Sequence, residues 1–200
     1  MNMGVRLSIS IMAHSSRESF FPYLREKLGD VPFSIDKPGP ENIGVWPNCR
    51  RAWGMFSSSA THHVVIQDDA IVCEQFRERA ESLIGRTAER NCAYQFYVGK
   101  KRALEDEMQI ERGDDLILHQ TLWWGVAICL PVTMIGPMIE YADGLNLPQD
   151  DMRIRAFLKS RSIKICYPMP CLIDHRHGPS LVGDPGTQRS SKNFIGYENK

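Results

Sequence analysis

Two adjacent carboxylates, Asp68 and Asp69, directly follow an apolar run in the stretch HHVVIQDDA, residues 62–70. The four residues before the pair predict a buried strand. A strand that continued through the pair would bury one charge, because neighbouring side chains point to opposite faces of a sheet. The pair is therefore expected where the chain leaves the sheet, where carboxylates can bind Mg2+ or Mn2+. The alternative is a turn that caps a helix predicted over 74–84.

Two further pairs of residues have side chains that can bind a metal or transfer a proton. His175 and His177 form a His-x-His pair, which can ligate a metal or form a polar loop. Asp150 and Asp151 stand at the start of a predicted helix. They can act as a general base, or they can be negative charges that favour the helix N-terminus.

The elements that must position these residues alternate between strands and helices. Apolar runs and alternation predict strands, and apolar repeats at three and four residues predict helices. This order predicts an α/β fold with a mostly parallel, doubly wound sheet flanked by helices, in which ligands bind at the carboxyl ends of the strands. The predicted strands cover 5–13, 31–36, 63–67, 93–99, 121–130 and 163–167, and the predicted helices cover 15–28, 48–56, 73–85, 137–144 and 148–161.

Composition limits the classes to which the chain can belong. Of its 200 residues, 42% are apolar and 24% are charged, as expected for one globular domain. Lys plus Arg equals Asp plus Glu, so no overall positive charge attracts nucleic acid. No apolar run is long enough to span a membrane, and no signal-peptide pattern is present. The six cysteines show no Cys-x-x-Cys spacing and are expected to be buried thiols of a cytoplasmic protein.

The order of strand, polar residue, Asp, Asp, Ala and helix resembles the metal site of glycosyltransferases with the GT-A fold. Members of that family often carry a Glu-Asp-Asp-like or Asp-x-Asp signature at this place, and the triplet here is Gln67-Asp68-Asp69. The resemblance implies that Asp69 binds the metal and that Asp68 lies near the ribose of the donor or near the metal. Gln67 departs from the usual acidic residue, which leaves the first position without an assigned role.

Other segments resemble the same family in the same order, and the pattern is closest to small glycosyltransferase-like proteins of bacteriophages and actinobacteria. The segments are MAHSSR at 12–17, WPNCRRAWGMF at 46–56, LWWGVAICLP at 122–131, PQDDMRI at 148–154 and PCLIDHRHGPSLVG at 170–183. The resemblance implies a single Rossmann-like GT-A domain over 1–182. Its implied donor-binding residues are Ala13, His14, Arg17, Asp36, Arg50, Arg51, Asp68 and Trp124, and its implied metal ligands are Asp69, His175 and Asp68.

The implied activity is metal-dependent transfer of a sugar from a nucleotide-diphosphate sugar, with a UDP-sugar expected, to an acceptor hydroxyl. Mn2+ or Mg2+ is the implied cofactor. Asp151, or Asp150 in its place, would deprotonate the acceptor in an inverting mechanism. The expected acceptors are a hydroxylated base in phage DNA, a Ser or Thr of a virion protein, or a bacterial saccharide or lipid-linked group. The alternatives are a metal-dependent phosphoesterase or nuclease and a non-catalytic module that binds nucleotide-sugars or glycans.

Residues 183–200 are rich in Gly, Ser, Lys and Arg. This composition suits a flexible tail, and it equally suits a lid in which Arg189 and Lys192 contact the diphosphate of the donor.

Overall fold

The computed structural model describes residues 4–87, 91–99, 109–113, 115–176 and 190–197. Over these residues the chain has the expected α/β architecture, with a large sheet flanked by helices. No described helix is both long and apolar enough to cross a membrane. The strands are β1 Leu7–His14, β2 Phe33–Asp36, β3 His62–Gln67, β4 Ala70–Val72, β5 Cys92–Gln95, β6 Gln109–Arg112, β7 Leu116–His119, β8 Ala127–Pro131, β9 Lys164–Pro168 and β10 Ile173–His175, and the helices are α1 Phe21–Leu28, α2 Val45–Trp53, α3 Phe76–Thr87, α4 Val132–Asp143 and α5 Asp150–Ser160.

The main sheet has eight described strands in the order β2-β1-β3-β8-β5-β9-β7-β6. β1 pairs in parallel with β2 and β3, and β5 pairs in parallel with β9. β8 runs antiparallel between β3 and β5, and β7 runs antiparallel to β9 and β6. The sheet is therefore mixed: six of its eight described strands run in the same direction, although three of its seven pairings are parallel and four are antiparallel.

A second, two-stranded sheet lies beyond the carboxyl end of β3. In it β4 pairs antiparallel with β10, and Ala70 stands opposite His175. The sequence pattern did not predict either strand. The small sheet brings His175 next to the turn between β3 and β4, which contains the two aspartates.

A buried histidine joins β1 and β3 to α2. The ring of His63 is fully buried, with Nε2 3.1 Å from Ser10 Oγ and 3.2 Å from the carbonyl oxygen of Ala52. Its Nδ1 lies 3.1 Å from Ser8 Oγ. Because a carbonyl only accepts, Nε2 carries the hydrogen and Nδ1 accepts from Ser8. Burial lowers the pKa of His63 to about 4, so the ring is neutral at pH 7.

Two side chains of α3 bond to the start of β1, on the edge of the strand that β2 pairs with only farther along. The pairing of β1 with β2 begins only at Ile11. At Leu7, the backbone N–H donates to Glu81 Oε1 over 2.7 Å, and the carbonyl accepts from Arg77. The two side chains satisfy backbone groups that a neighbouring strand would otherwise satisfy.

Several predicted boundaries were wrong for physical reasons. α2 starts at Val45, because Asn48 is buried and bonds to Ser34 and to the carbonyl of Ala13 instead of capping the helix. α3 continues through Gly85, and α4 begins at Val132, five residues before Pro137.

The predicted strand over 121–130 is a strand only from Ala127. Residues 121–125, which precede this strand, have no regular secondary structure. The hydroxyl of Tyr167 fixes their backbone by hydrogen bonds. This hydroxyl donates to the carbonyl of Thr121 over 2.8 Å and accepts from the N–H of Trp123 over 3.0 Å. The two tryptophans that follow Leu122 therefore do not alternate across a sheet.

The described part of the predicted tail packs against β10. Ser191 and Phe194 are buried, and the N–H of Ser191 donates to Asp174 Oδ1 over 2.6 Å. The carbonyl of Cys171 accepts from the N–H of Ile195. Residues 183–189, with Arg189, lie outside the described residues, and the lid remains a prediction. All six cysteines are free and buried, as expected.

Candidate functional site

The aspartate pair occupies the turn at the carboxyl end of β3, where the sequence predicted it. The N–H of Asp68 makes the last bond of the β1–β3 ladder, to the carbonyl of Met12 over 3.1 Å. Only 3% of Asp68 and 5% of Asp69 is exposed. Two carboxylates this deeply buried require positively charged or N–H partners.

Arg17 supplies the main positive charge for the pair. It lies in a 3-10 helix, Ser15–Phe20, that follows β1. Its Nη1 lies 2.8 Å from Asp68 Oδ1 and 2.6 Å from Asp69 Oδ2. The other oxygen of Asp68 accepts from the backbone N–H of His14 over 2.7 Å. Both oxygens of Asp68 are therefore bonded.

His175 approaches Asp69 from the small sheet. Its Nε2 lies 3.2 Å from Asp69 Oδ2, and the N–H of Arg176 donates to the carbonyl of Asp69 over 2.8 Å. The Nδ1 of His175 faces the carbonyl of Arg176 at 2.5 Å. Because that carbonyl only accepts, Nδ1 carries a hydrogen. Nε2 donates to Asp69 if it also carries a hydrogen, and it can bind a metal through its lone pair if it does not.

The two carboxyl groups differ electrostatically although they are neighbours. Burial raises the pKa of Asp68, against the bonds from His14 and Arg17. Burial also acts to raise the pKa of Asp69, but His175 and Arg17 outweigh it and the pKa is lowered. Burial acts to lower the pKa of Arg17, but the two aspartates outweigh it and the pKa is raised. Asp69 is thus the more firmly ionised of the two.

Asp68, Asp69 and His175 form the aspartate corner of the site. Their side-chain types fit a divalent cation, although they do not form a complete set of ligands. Within the described ranges, no group of three or more His, Cys, Asp or Glu side chains is placed to hold a metal ion. Asp69 Oδ1, however, is buried and has no hydrogen-bond partner. Asp69, His175 and Asp68 supply the carboxylate oxygens and imidazole that Mn2+ accepts. His177, the second histidine of the pair, lies outside the described residues.

A second acidic corner is formed by the first turn of α5. Asp150 is buried, and burial together with the charge of Asp151 raises its pKa to about 6. Burial also raises the pKa of Asp151, against the charge of Arg155, whose Nη2 lies 3.9 Å from Asp151 Oδ2. Each carboxyl group is therefore a better proton acceptor than a solvated aspartate.

Gln67 and Gly125 connect the two corners. A Cβ on Gly125 would lie 3.2 Å from Gln67 Nε2, 3.3 Å from Asp151 Cβ and 3.9 Å from Asp150 Oδ1. The side chain of Gln67 therefore reaches the acidic corner, while the next residue belongs to the aspartate pair. A side chain at position 125 would crowd both Gln67 and Asp151, so a glycine there allows both to approach the backbone closely.

Aromatic rings extend from His175 toward the same glycine-containing segment. The ring of Tyr97 lies 6.1 Å from the ring of His175 and 5.6 Å from that of Trp124. The carbonyl of Trp124 accepts a hydrogen bond from the side chain of Gln95. Trp124, a predicted donor-binding residue, is thus held beside both corners.

Three other predicted donor-binding residues lie at the carboxyl edge of β1 and β2. Ala13 is buried in β1, and His14 stands opposite Asp36 in the parallel register. Asp36 Oδ1 accepts from the N–H groups of Lys37 and Ile43, each over 2.9 Å. This carboxylate organises the loop after β2 at the same edge as the aspartate pair.

The contacts of Arg50 and Arg51 are made away from the aspartates. Arg50 Nε pairs with Asp143 of α4 over 3.1 Å on the surface. Arg51 Nη2 donates to the carbonyl of Ile35 over 2.8 Å, and so ties α2 to β2. Lys192 is exposed in the C-terminal segment. The donor-binding roles of all three remain predictions.

Sequence reasoning did not assign roles to Gln67, Gly125, Tyr97 or Arg176. The backbone N–H of Arg176 bonds to Asp69, and its guanidinium lies over the rings of Phe20, at 4.8 Å, and Tyr23, at 4.4 Å. Its Nε is buried without a hydrogen-bond partner. Gln67, Gly125 and Arg176 each stand next to a predicted site residue, which is a weak sequence signal, and Tyr97 lacks even that signal.

Comparisons with known proteins leave this site to be interpreted from its chemistry. No protein-family model matches the chain, and no curated protein matches it either.

Proposed function

We propose that the chain is a metal-dependent glycosyltransferase of the GT-A type, which moves a sugar from a nucleotide-diphosphate sugar to an acceptor hydroxyl. The observation that supports this most strongly is the meeting of Asp68, Asp69 and His175 at the carboxyl edge of parallel strands, with Asp69 Oδ1 buried and unpartnered. Ligands bind at this edge in open α/β sheets. A mixed sheet flanked by helices is compatible with a Rossmann-like fold of this type.

In this proposal Asp69 and His175, with Asp68, hold Mn2+ or Mg2+ at the end of β3. When bound, the cation offsets the negative charge that develops on the departing diphosphate. Arg17, whose Nη1 lies 2.6 Å from Asp69 Oδ2, and Arg176, whose backbone N–H bonds to Asp69, carry guanidinium groups that can bind phosphate oxygens. In the same proposal, Asp36 and His14 line the part of the donor site that binds the nucleoside.

Asp151 serves as the general base, and its burial raises its proton affinity. The acceptor oxygen forms a bond to the anomeric carbon as the bond from that carbon to the diphosphate oxygen breaks. The acceptor proton passes to Asp151, whose pKa is raised by burial. The mechanism proposed is inverting, with the base and the leaving group on opposite sides of the sugar. The candidate acceptors are those expected from the resemblance, including hydroxylated-base DNA and a virion protein.

Thermal shift with a nucleotide panel tests the donor site. UDP, GDP, ADP, dTDP and CMP are each added with and without Mn2+ to the wild type, to Asp69→Asn and to the control Asp30→Asn, which removes a fully exposed carboxylate. A ligand at about 100 times its Kd adds about 2.7 kcal/mol, which is roughly 5–10 °C for a domain of this size. We expect one nucleotide to give this shift with Mn2+ in the wild type and the control, and none in Asp69→Asn.

Absence of a shift with every nucleotide contradicts the proposal. Hydrolysis of a phosphodiester that requires Mn2+ and Asp69, without nucleotide binding, would favour a phosphoesterase. A shift with no sugar transfer to any acceptor class, and indifference to Asp150→Asn and Asp151→Asn, would favour a binding module.

A further inference from the structure

A cavity of about 400 Å³ lies at the end of β1 that is opposite to the aspartate pair. It borders Leu7, Ser8 and Ile9, whereas Asp68 bonds to Met12 and His14 at the other end of the strand. At about 3.3 Å a residue, the two ends of β1 are roughly 20 Å apart, so one small ligand does not reach both. The proposed function leaves this cavity without a role.

The cavity exists because no described strand pairs with this side of β1 before Ile11. The N–H of Ile11 donates to the carbonyl of Pro32, and Pro32 has no backbone N–H with which to extend the ladder toward Ile9. The N–H and the carbonyl of Leu7 already bond to two side chains of α3. An added peptide strand would need these backbone groups, so the space fits a small molecule better than a strand.

The charged groups at the cavity are mainly positive. Arg6 and Arg77 border it, and each bonds to a backbone carbonyl through one nitrogen: Arg6 Nε to Ser59 over 2.5 Å, and Arg77 Nη1 to a carbonyl of β1. Asp30 also borders the cavity, but its side chain is fully exposed and pairs with Arg25 over 3.4 Å. Each guanidinium has further N–H groups, which fit a carboxylate, sulfonate or phosphate.

The other walls of the cavity are largely apolar. Leu7, Ile9 and Val31 are buried beneath it, and Met55 and Phe56, which follow α2, border it. Of these, Phe56 is 37% exposed, so a ligand that covers its ring removes apolar surface from water. The volume of the cavity lies within the range of about 300–1,000 Å³ that small-molecule sites occupy.

We propose that this cavity is a second ligand site, which takes a small organic anion. Its acid group is bound by Arg6 and Arg77, and its apolar body lies against Met55 and Phe56. The inference goes beyond the proposed sugar transfer and does not depend on it, because the residues that border the cavity belong to neither the donor site nor the metal site of that proposal.

A fluorescence titration with 1-anilinonaphthalene-8-sulfonate, an organic anion with an aromatic body, tests the site. The chains compared are the wild type, Arg6→Gln and Phe56→Ala, with Arg86→Gln and Tyr141→Ala as matched controls. Arg86 is an exposed arginine that pairs with Asp115, and Tyr141 is 39% exposed, which is close to the value for Phe56. N-phenyl-1-naphthylamine, which lacks the sulfonate, is titrated in parallel, and circular dichroism establishes that each chain is folded.

We expect one sulfonate probe to bind to each wild-type chain. Arg6→Gln should weaken this binding about tenfold, because a charge-assisted hydrogen bond is lost. Phe56→Ala should weaken it about fivefold, because the probe loses an apolar contact. The two controls should bind the probe as the wild type does, and the uncharged probe should bind about tenfold more weakly than the sulfonate and be insensitive to Arg6→Gln.

Several results overturn the inference. They are no binding of the sulfonate by the folded wild type, equal binding of the two probes, and equal affinity of the wild type, Arg6→Gln and Phe56→Ala for the sulfonate. Displacement of the probe by UDP with Mn2+ in chains indifferent to both substitutions places it at the donor site, which also overturns the inference.

The wild type alone decides if a cavity variant does not fold. Added NaCl should then weaken binding of the sulfonate and leave binding of the uncharged probe unchanged, because salt screens the attraction to the two guanidiniums. The same response of both probes to salt overturns the inference. The nucleotide thermal shift is measured separately, so either proposal can fail while the other stands.

Discussion

At the scale of single residues, Asp68 and Asp69 are neighbours with unequal surroundings. Both oxygens of Asp68 have partners, one in Arg17 and one in a backbone N–H. Asp69 keeps one buried oxygen without a partner. In the proposed function, this difference favours Asp69 as the metal ligand, with Asp68 near the ribose or the metal. It also explains why substitution of Asp69 is the sharper test of the site.

Replacement of Gly125 is expected to destabilise the protein locally. In Gly125→Ala the new Cβ would lie 3.2 Å from Gln67 Nε2 and 3.3 Å from Asp151 Cβ, so those side chains must move. We expect a loss of about 1–2 kcal/mol in the free energy of unfolding, as for an overpacked site. Gly85→Ala is the control, because its Cβ would meet only Val5 at an ordinary 3.9 Å within α3. That change should stabilise by about 0.5–1 kcal/mol. Urea unfolding measures both, and equal effects would contradict the proposed close approach.

Sequence reasoning located the carboxylates at this scale but not their partners. A hydrophobic run that meets Asp68 is a local signal, so the strand end was predictable. The contact of Arg17 with the pair depends on the path of a 3-10 helix and on the β1–β3 register. Gln67 and Asp151 both lie close to Gly125 because of the way α5 packs. No local sequence pattern encodes that packing.

At the scale of elements, α3 and β1 are joined by a hydrogen bond from the backbone N–H of Leu7 to the side chain of Glu81. This bond takes the place of one that a neighbouring strand would make. In Glu81→Ala the buried N–H of Leu7 loses its acceptor. An unsatisfied buried donor costs about 1–3 kcal/mol, so we expect destabilisation in this range. The control is Glu140→Ala, an exposed residue of α4, whose effect should stay within about 0.5 kcal/mol. Chemical denaturation gives the free energy of unfolding of the two variants. If Glu81→Ala lost no more than about 0.5 kcal/mol, water would be the acceptor for the N–H of Leu7.

Elements with strong local patterns were predictable, and those held by distant contacts were not. β1, α3 and α5 follow from the spacing of their apolar residues. β4 and β10 have three residues each and exist because they pair with one another. The irregular path before β8 follows from hydrogen bonds to Tyr167 and Gln95, which are remote in sequence.

At the scale of the whole molecule, two buried groups make opposite contributions to stability in weak acid. The folded pKa of His63, about 4, lies below its ordinary value of 6.5, so its contribution is lost as the pH falls through this interval. The folded pKa of Asp150, about 6, lies above its ordinary value of 3.8, so its contribution is lost as the pH rises through that interval. The two contributions partly cancel between pH 8 and pH 5.

Variants at these positions should reveal the cancellation. Between pH 8 and pH 5, we expect His63→Asn to gain about 2 kcal/mol of unfolding free energy relative to the wild type, and Asp150→Asn to lose about 1 kcal/mol. Denaturation curves at both pH values give the two differences. The opposite signs are the diagnostic feature, and differences of the same sign would contradict the assigned burial of one group.

The pairing of β4 with β10 also bears on the order in which the site forms during synthesis. A ribosome releases Arg17 first, then the aspartates, and His175 only much later. The positively charged partner of the two aspartates, Arg17, is therefore synthesised before them, whereas the histidine that approaches Asp69 is synthesised about a hundred residues later.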